Sequence, residues 1–445
     1  MTRLSLRHLG YAAAVVGSLV GFACGGSTDP DPSGQGGNGQ SANEVRSDKP
    51  FDTNPAVADA DFQTFVQGTN AFGFDLYRKL TDAASGNVFY SPLSTSMALA
   101  MTYAGAEGNT ATQMAAVLHN TLPRETYHLA FNKLAVELGS RNIAPHETYD
   151  GPKSVKMLPV NASWAQKGYP ILEPYLDTLS TRYDAGQHLL DFKVDPEGAR
   201  LAINDWVEAH TEKKIVDLLG PGTIDTDVRL VLTNALYFYG SWNEPFDRKS
   251  TSDGVFHKAA GDVTVPMMHH SGYSSYAEGD GWQALSLPYD GGNVRMVMVL
   301  PEAGRFDEVA GKLDATWFGQ TMGAMTADSE VRMTLPKFKF SWGTESFKEP
   351  LKALGMTDAF VFGQADFTGM EATGELYVGD VLHQAFVGID EDGTEAAAAT
   401  AVVMKAGAVP GEPKVFTADR PFLFMIVDNT GLVLFVGELH DPLAS

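Results

Sequence analysis

The sequence EDGTEAAAAT at residues 391–400 is the most informative stretch of this chain. From Gly393 onward it contains only small side chains, apart from one glutamate. In an extended strand, alternate side chains point to opposite faces of the sheet. The even positions from Thr394 to Thr400 are small enough to enter a packed core, and the odd positions begin with Glu395, which suits a solvated face. The segment can therefore lie inside a sheet as a strand or outside it as a loop.

Composition alone also permits two other conformations for this segment. Alanine has the highest helix propensity, and Thr394 is a suitable N-cap for an exposed helix. The same small residues suit a flexible linker equally well. Four consecutive alanines do not by themselves specify a strand.

The overall composition indicates an acidic globular protein with a large core. The chain has 445 residues, 44% of them hydrophobic, and a formal net charge of −23. Such a polyanion repels nucleic acids and anionic membrane surfaces, so we expect neither as a partner. The single cysteine, Cys24, lies at the end of the N-terminal apolar segment. We therefore expect no disulfide, no cysteine nucleophile, no metal and no cofactor in the folded part.

Residues 1–23 have the features of a signal peptide. Two arginines precede an apolar run at residues 11–23, which is too short to span a bilayer comfortably. Cys24 follows as in a bacterial lipoprotein processing site, although Gly21 stands where leucine is usual. We expect an extracytoplasmic protein, either an outer-membrane lipoprotein lipidated on Cys24 or a secreted protein cleaved nearby. The lipid would then be its sole membrane contact.

The remainder divides into a tether and one folded domain. Residues 24–57 are rich in Gly, Ser, Asp and Pro, which predicts a disordered linker. A G-x-G-x-x-G match at residues 34–39 has no strand before it and no helix after it, so we assign it to chance. From residue 58 to residue 445 the helical patterns come first and the strand patterns follow, without an internal repeat. This order predicts a single α+β domain.

The predicted elements of this domain rest on hydrophobic periodicity and on turn residues. Helices are expected at Phe62–Leu80, at Pro92–Met101 and around Asn204. Strands are expected at Val228–Phe238, Val294–Leu300 and Val331–Phe340. A hairpin is expected over Pro421–Phe435.

The sequence carries no common catalytic motif. It lacks the G-x-S-x-G, H-E-x-x-H and P-loop patterns. His269 and His270 are adjacent and would point to opposite faces of a strand, so we assign them to a surface loop and not to a metal site. Asp390–Gly393 is similar to the middle of a calcium loop but lacks its ligand spacing and its closing glutamate. We therefore predict that the protein is not an enzyme.

Residues 391–400 and several other segments resemble the serpin family of serine protease inhibitors. The first segment differs from the inhibitory family pattern only at Asp392, where the family has glutamate. The other segments occur in the family's order, within Phe62–Pro442: NVFYSPLS at 87–94, LTNALYFYGSW at 232–242 with Phe246, FTGM at 367–370, LYVGDVLHQAF at 376–386, and ADRPFLF at 418–424 with Gly437. Their combination is very specific.

This resemblance implies helices packed around a large central sheet and further sheets, with an exposed reactive-centre loop. It implies a metastable suicide inhibitor of serine proteases, with cysteine proteases as a second target class. The protease cuts the loop and is acylated, and the cut loop then enters the central sheet as a new strand. The family's hinge corresponds to Gly393, Thr394, Glu395, Ala396, Ala397, Ala398, Ala399 and Thr400.

The resemblance also assigns two polar clusters to the central sheet. The shutter, where the sheet parts, corresponds to Ser91, Ser94, Asn234 and His383. The breach, where insertion begins, corresponds to Glu391, Lys337 and Trp242. Without the resemblance, the first set is interpreted as mutually satisfied buried polar groups, and the Glu391–Lys337 pair as a surface ion pair of little energetic value.

The position of the reactive bond is less sharply defined. The family's usual loop length places it at Gly407–Ala408, whereas counting back from Pro421 shifts it toward Pro410. The window comprises Met404, Lys405, Ala406, Gly407, Ala408 and Val409. A small residue before the bond favours an elastase- or subtilisin-like protease, whereas cleavage after Lys405 would suit a trypsin-like one.

Two alternative functions are compatible with parts of the sequence. A non-inhibitory serpin would act as a binding or structural surface protein, but such relatives usually carry bulky or charged hinge residues. A hydrolytic surface enzyme would need a nucleophile motif that the sequence lacks. We expect a monomer whose partner is the target protease.

Overall fold

Two β-sheets and a set of surrounding helices form the part of the chain that the computed structural model describes, residues 43–82, 86–211, 213–394 and 412–444. The helices are α1 Asp59–Thr81, α2 Pro92–Tyr103, α3 Gly108–Val117, α4 Arg124–Ser140, α5 Glu173–Tyr183, α6 Pro196–His210, α7 Phe306–Ala310, α8 Ala315–Ala324 and α9 Lys348–Ala353. Within these ranges, no helix is both long enough and apolar enough to cross a membrane.

The first sheet, called the central sheet below, has the strand order β1-β5-β4-β6-β14-β13-β12, with β3 paired to β4. Its strands are β1 Asn43–Val45, β3 Ile143–Thr148, β4 Gly151–Gln166, β5 Gln187–Leu190, β6 Leu230–Ser241, β12 Phe338–Ser346, β13 Val378–Ile389 and β14 Gly393–Thr394.

The second sheet has the order β15-β11-β8-β9-β10-β16-β17-β2, with β7 paired to β8. Its strands are β2 Val88–Tyr90, β7 Ser252–Lys258, β8 Gly261–Gly279, β9 Trp282–Pro288, β10 Val294–Pro301, β11 Thr326–Pro336, β15 Lys414–Thr417, β16 Phe422–Asp428 and β17 Val433–Leu439.

Helix α2 lies between the two sheets. It contacts β4 and β6 of the central sheet and β17 of the second sheet, and every one of its residues is buried. Pro92 occupies its first turn, where a missing amide hydrogen has no consequence, and Ser91 caps it by accepting a hydrogen bond from the Ser94 amide. The apolar composition of α2 is therefore a requirement of its position in the core.

Helix α6 covers the opposite face of the central sheet. Its buried Ile203 and Val207 belong to the same apolar cluster as Val231 of β6 and Leu382 of β13. The two faces of β6 are therefore covered by α2 and by α6. Near-continuous apolar runs such as VRLVLTNALYF at 228–238 are typical of strands buried on both faces.

The predicted strand Val331–Phe340 is wrong as a single element. It contains the end of β11 in the second sheet and the start of β12 in the central sheet. The break falls after Pro336, at Lys337, whose amide bonds to the Pro266 carbonyl. The apolar pattern continues across the break because Leu335 and Phe338 are both buried, so periodicity alone does not reveal the change of sheet.

Part of the segment predicted to be a disordered linker has a defined structure. Strand β1, within the segment predicted to be a disordered linker, pairs antiparallel with β5 at the edge of the central sheet. Ser47 then donates a 2.6 Å hydrogen bond to Asp177 of α5, and Lys49 forms a 2.6 Å ion pair with the same carboxylate. Polar and backbone contacts fix residues 43–49, so the scarcity of apolar residues gave no sign of this order. The linker prediction is thus wrong for this part.

The adjacent histidines also differ from the prediction. His269 and His270 lie within β8 and not in a surface loop. His269 faces Thr334 of β11, and the ring of His270 contacts Phe246, so the two side chains do point to opposite faces. No group of three or more His, Cys, Asp or Glu side chains among the described residues could hold a metal ion.

Candidate functional site

The central sheet is open between β6 and β13. At one end these strands pair in parallel, from Val378 opposite Leu230 to His383 opposite Asn234. Across positions 235–239 of β6 and 384–388 of β13, the two strands show no pairing with each other in the described structure. We call this region the gap. On their outer sides the same strands remain paired, β6 with β4 and β13 with β12.

Strand β14 occupies the other end of the gap. Gly393 lies opposite Ser241, and Thr394 lies between Gly240 of β6 and Ile389 of β13, antiparallel to both strands. The first two residues of the predicted hinge are therefore already a strand within the central sheet. Glu395 to Thr400, the window 404–409 and Cys24 lie outside the described residues.

Glycine is required at position 393 by the close approach of two backbones. Gly393 has a φ of +157°, and a Cβ placed there would lie 2.0 Å from the Gly240 carbonyl oxygen. No side chain fits at that distance without moving β6. The Gly-Thr pair at the start of the hinge is thus explained by sheet geometry.

A tight turn at residues 390–393 feeds β14 from β13. The Asp390 amide donates to the Gly393 carbonyl, and the Asp390 carboxylate accepts from the amide of Asp392. The turn is anchored to the end of β6, because the Trp242 amide donates to the Asp392 carbonyl at 2.8 Å. The Phe246 amide donates to the Glu391 carbonyl at the same distance.

The structure brings the three breach residues together beside this turn. Glu391 is 3% exposed, and one of its carboxylate oxygens lies 2.6 Å from Lys337 Nζ. The other accepts a 2.8 Å hydrogen bond from Thr251. Burial acts most strongly and raises the pKa of Glu391, but the hydrogen bonds from Lys337, the backbone and Thr251, together with the charge of Lys337, outweigh it and hold that pKa below its ordinary value. The carboxylate of this ion pair is therefore buried, whereas the Lys337 side chain remains 31% exposed.

Trp242 and Arg248 complete the contacts of the turn. The indole nitrogen of Trp242 donates to the Asp390 carbonyl at 3.0 Å. Arg248 pairs with Asp392 and also lies 3.7 Å from Glu391. No sequence pattern indicated Arg248, because it lies in an irregular segment remote in sequence from the hinge.

Tyr289 is the second functional residue that the sequence did not reveal. Its ring stacks on Trp242 with centroids 4.6 Å apart and planes 10° from parallel. It is fully buried, and its hydroxyl lies 2.5 Å from Thr394 Oγ1. Burial raises the pKa of Tyr289 well above its usual range, so the hydroxyl keeps its proton. In the sequence, Tyr289 merely precedes a glycine-rich turn.

The shutter residues meet where the pairing of β6 and β13 ends. His383 is fully buried; its Nδ1 bonds to Asn234 Oδ1, and its Nε2 lies 3.2 Å from the Ser91 amide. Because an amide can only donate, Nε2 is the unprotonated nitrogen and Nδ1 carries the proton. Burial lowers the pKa of His383 to about 3, so the ring is neutral.

The fourth shutter residue, Ser94, does not contact His383 directly. Its amide donates to Ser91 Oγ at the start of α2, and its hydroxyl donates to Asn161 of β4 at 2.9 Å. Asn161 therefore joins the shutter residues as a further member of the cluster. The cluster links α2, β4, β6 and β13, the elements that border the gap on its closed side.

Comparison with known proteins identifies the family. Residues 67–442 match the family described as Serpin (serine protease inhibitor). An uncharacterized serpin-like protein of Thermococcus kodakarensis is 38% identical over 380 residues, which cover 85% of each chain. Serpin B6 of Pongo abelii is 37% identical over 390 residues, covering 85% of this chain and 99% of that protein.

Solved structures show the same fold. The thermophilic serpin Tengpin in its native state has a TM-score of 0.78 and 27% identity, covering 90% of this chain and 100% of its own. Serpin48, a highly specific serpin of the insect Tenebrio molitor, has a TM-score of 0.72 and 28% identity, covering 87% and 99%. The chain therefore belongs to the serpin family, and the predicted α+β fold with a large central sheet is confirmed. Serpins are in general protease inhibitors and not enzymes.

Proposed function

We propose that this protein is an inhibitory serpin, which traps a serine protease as a covalent acyl-enzyme by inserting its cut loop into the central sheet. A cysteine protease is a second target class. The observation that carries the proposal is β14, a two-residue strand that already lies between β6 and β13 and points into the gap.

The gap has the length that the hinge requires. Growth of β14 in its present register would place residues 395–399 opposite positions 239–235 of β6 and 388–384 of β13. These are the positions at which the two strands are unpaired. Thr400 would then reach Asn234 and His383, where the pairing resumes. One glutamate and four alanines thus complete the open part before the shutter has to separate.

The side-chain sizes also agree with insertion. Residues directly opposite in an antiparallel pair share a face, so Ala396 and Ala398 would lie beside Phe238 and Leu236. Both of those are members of the main core cluster. Methyl groups fit beside such side chains without forcing apart a close-packed interior, whereas larger groups would strain it.

The shutter then controls the remaining insertion. Asn234 and His383 hold β6 against β13 through their hydrogen bond, which a further strand must replace. Each buried donor and acceptor must find a new partner as the strands separate, since leaving one unsatisfied costs about 1–3 kcal/mol. The cluster therefore resists insertion in the uncut protein and permits it once the loop is free.

The chemical step belongs to the protease. Its serine oxygen attacks the carbonyl carbon of the residue before the reactive bond, the peptide bond breaks, and the amine leaves with a proton from the protease histidine. We place this bond at Gly407–Ala408 within the window 404–409, which suits an elastase- or subtilisin-like protease, or a trypsin-like one after Lys405. Insertion of about 15 residues at about 3.3 Å each moves the ester by about 50 Å.

The site of action would be outside the cytoplasm. The signal-like residues 1–23 and the position of Cys24 support a lipid-anchored or secreted protein, and we propose that it acts as a monomer. A protease inhibitor in that location would meet proteases from the surroundings of the cell.

A protease panel tests the proposal. The purified protein is mixed with elastase-, subtilisin- and trypsin-like enzymes and analysed on denaturing gels. An SDS-stable adduct of serpin plus protease, with the small C-terminal fragment released, is expected for at least one enzyme. Mass spectrometry of the digested adduct locates the cut bond. Cleavage by every enzyme without any adduct would contradict the proposal and support a non-inhibitory serpin.

A further inference from the structure

The hydrogen-bond partner of Thr394 is Tyr289, which is fully buried. Tyr289 follows β9 and forms a β-bridge with Trp242, two residues after Gly240. The Tyr289 ring also contacts Phe238 edge-on, with centroids 4.9 Å apart. The ring is therefore held on two sides by residues of β6 and by the segment that follows it.

The space for the Tyr289 ring depends on a second glycine. A Cβ on Gly240 would lie 2.8 Å from the Tyr289 ring and 2.8 Å from the Phe238 ring. Gly240 is also the residue opposite Thr394 in β14. The absence of a side chain at 240 thus allows the tyrosine hydroxyl to reach the hinge.

The hydroxyl pair has a clear energetic consequence. Thr394 is 2% exposed and Tyr289 is 0% exposed, so water cannot replace either partner while β14 is in place. If the hinge left the sheet, the Tyr289 hydroxyl would lose the partner that it has in the described structure. A buried polar group without a partner is unfavourable, so the pair favours the inserted position of Thr394.

From these contacts we infer that Tyr289 is a positioning residue for the hinge: its hydroxyl holds Thr394 between β6 and β13 before the loop is cut. Insertion then extends an existing strand instead of nucleating one. A preformed start shortens the time during which the acyl-enzyme can be hydrolysed. The effect on trapping rests on the proposed function, whereas the hold on the uncut hinge does not.

Hydrogen–deuterium exchange of the uncut protein tests the hold directly. Tyr289→Phe removes the hydroxyl and keeps the ring that stacks on Trp242. Thr394→Val removes the other hydroxyl and keeps a β-branched side chain that suits a strand. Each variant is expected to exchange the peptide containing Gly393 and Thr394 about tenfold faster than the original protein, the size of effect that loss of one buried hydrogen bond predicts.

The double variant distinguishes a specific bond from general loosening. The double variant loses the same single hydrogen bond as each single variant, so its exchange is expected to be about as fast as theirs and not faster again. Additive effects of the two substitutions would overturn the inference. The matched control is Tyr175→Phe, which removes another fully buried tyrosine hydroxyl, 3.3 Å from Gln187 in β5. It is expected to leave the hinge peptide unchanged, and an equal effect from it would also overturn the inference.

The trapping reaction supplies a second measurement. In both single variants the number of serpin molecules consumed per protease trapped is expected to rise about two- to fivefold, with no further rise in the double variant. A Tyr289 whose role was only to stabilise the fold would lower the melting temperature without changing this ratio or the exchange of the hinge. If no protease forms an adduct with the original protein, the proposed function fails, but the exchange experiment still decides the role of Tyr289. Thr394→Val alone suffices if Tyr289→Phe does not fold.

Discussion

Thr394 shows at the scale of one residue why the hinge must be small. Its side chain is 2% exposed in the uncut protein and contacts a buried tyrosine hydroxyl. Directly before it, Gly393 passes so close to the Gly240 carbonyl that no side chain is tolerated. The small hinge side chains predict entry into a packed sheet. The structure identifies Gly240 and Tyr289 as neighbours that limit the size of these side chains.

A charge at position 394 should separate cutting from trapping. Thr394→Arg would place an unpaired guanidinium in the core, which costs several kcal/mol, so the hinge should stay out of the sheet. We expect the protease to cut the loop at its ordinary rate but the adduct to fall by more than about tenfold, as measured by gel densitometry.

The matched control is Thr112→Arg, an exposed position on α3 that is remote in sequence from the hinge. This variant should trap as well as the original protein. Full trapping by Thr394→Arg would show that the position need not be buried and would contradict the residue-level account.

Some residues of the site could not be predicted from the sequence. The hinge, Glu391 and His383 lie in segments that resemble the family, so their neighbourhood could be anticipated. Arg248 and Tyr289 reach the hinge from segments about 140 and 105 residues away along the chain, as their contacts with Asp392 and Thr394 show. Their local sequences indicate only a loop and a turn, because their contacts at the site are with residues far away along the chain.

At the scale of elements, the important feature is the unequal support of β6 and β13. Each is paired on its outer side, to β4 and β12, but across the gap they are not paired with each other. A strand that enters there gains partners on both sides. Hydrogen-bond partners on both sides explain why a strand of only two residues, β14, forms at the end of the gap. They also explain why extension of β14 would be favourable.

A proline in the inserting segment should block this extension. Ala397→Pro removes an amide hydrogen that a strand with neighbours on both sides uses for its ladder, and proline is not tolerated in the middle of a sheet. We expect the number of serpin molecules consumed per trapped protease to rise at least about fivefold, as measured by titration against a fixed amount of protease.

Ala397→Ser provides the comparison at the same position, because it keeps the amide and a small side chain. Its ratio should stay within about twofold of the original value, given the modest effect of small surface substitutions. Equal ratios for the proline and serine variants would show that the residue does not enter the sheet.

Strand predictions agree with the structure where the predicted segment lies within a single sheet. They fail where the segment passes from one sheet to the other. Val294–Leu300 coincides with β10 to within one residue, since turn residues bound it on both sides. The predicted strand Val331–Phe340 passes from one sheet to the other at Lys337. The sequence does not reveal this change because buried residues continue on both sides of Lys337. Strand β1 was missed because polar contacts and backbone pairing hold it, and neither leaves a hydrophobic pattern.

At the scale of the whole molecule, three buried neutral histidines should make stability depend on pH. Burial lowers the pKa of His383 and of His128 to about 3 and that of His188 to about 4, with nearby cations adding to the effect for the last two. These values lie below the ordinary value of 6.5, so the unfolded chain takes up protons first as the pH falls. Their contribution is complete above pH 6.5 and is lost between pH 6.5 and about 3–4.

We therefore expect the melting temperature to fall by several degrees between pH 7.5 and pH 4.5. Over this range each buried histidine lowers the free energy of unfolding by about 2 kcal/mol. Differential scanning calorimetry across this range measures it. His257→Gln should leave the trend in place, because His257 is exposed and its hydrogen bond with Asp262 raises its pKa. A melting temperature that stays constant down to pH 4.5 would show that the buried histidines do not control acid stability.

The central sheet should be able to accept one more strand in the gap between β6 and β13. The melting temperature after a loop cut tests this most directly. The protein is cut within residues 404–409 by a protease that it does not trap, and intact and cut forms are heated side by side. New ladder hydrogen bonds on both sides of an inserted strand predict that the cut form melts higher by more than about 10 °C. If the cut form melts at the same temperature as the intact protein, the loop has not entered the gap and the account of trapping by insertion is contradicted.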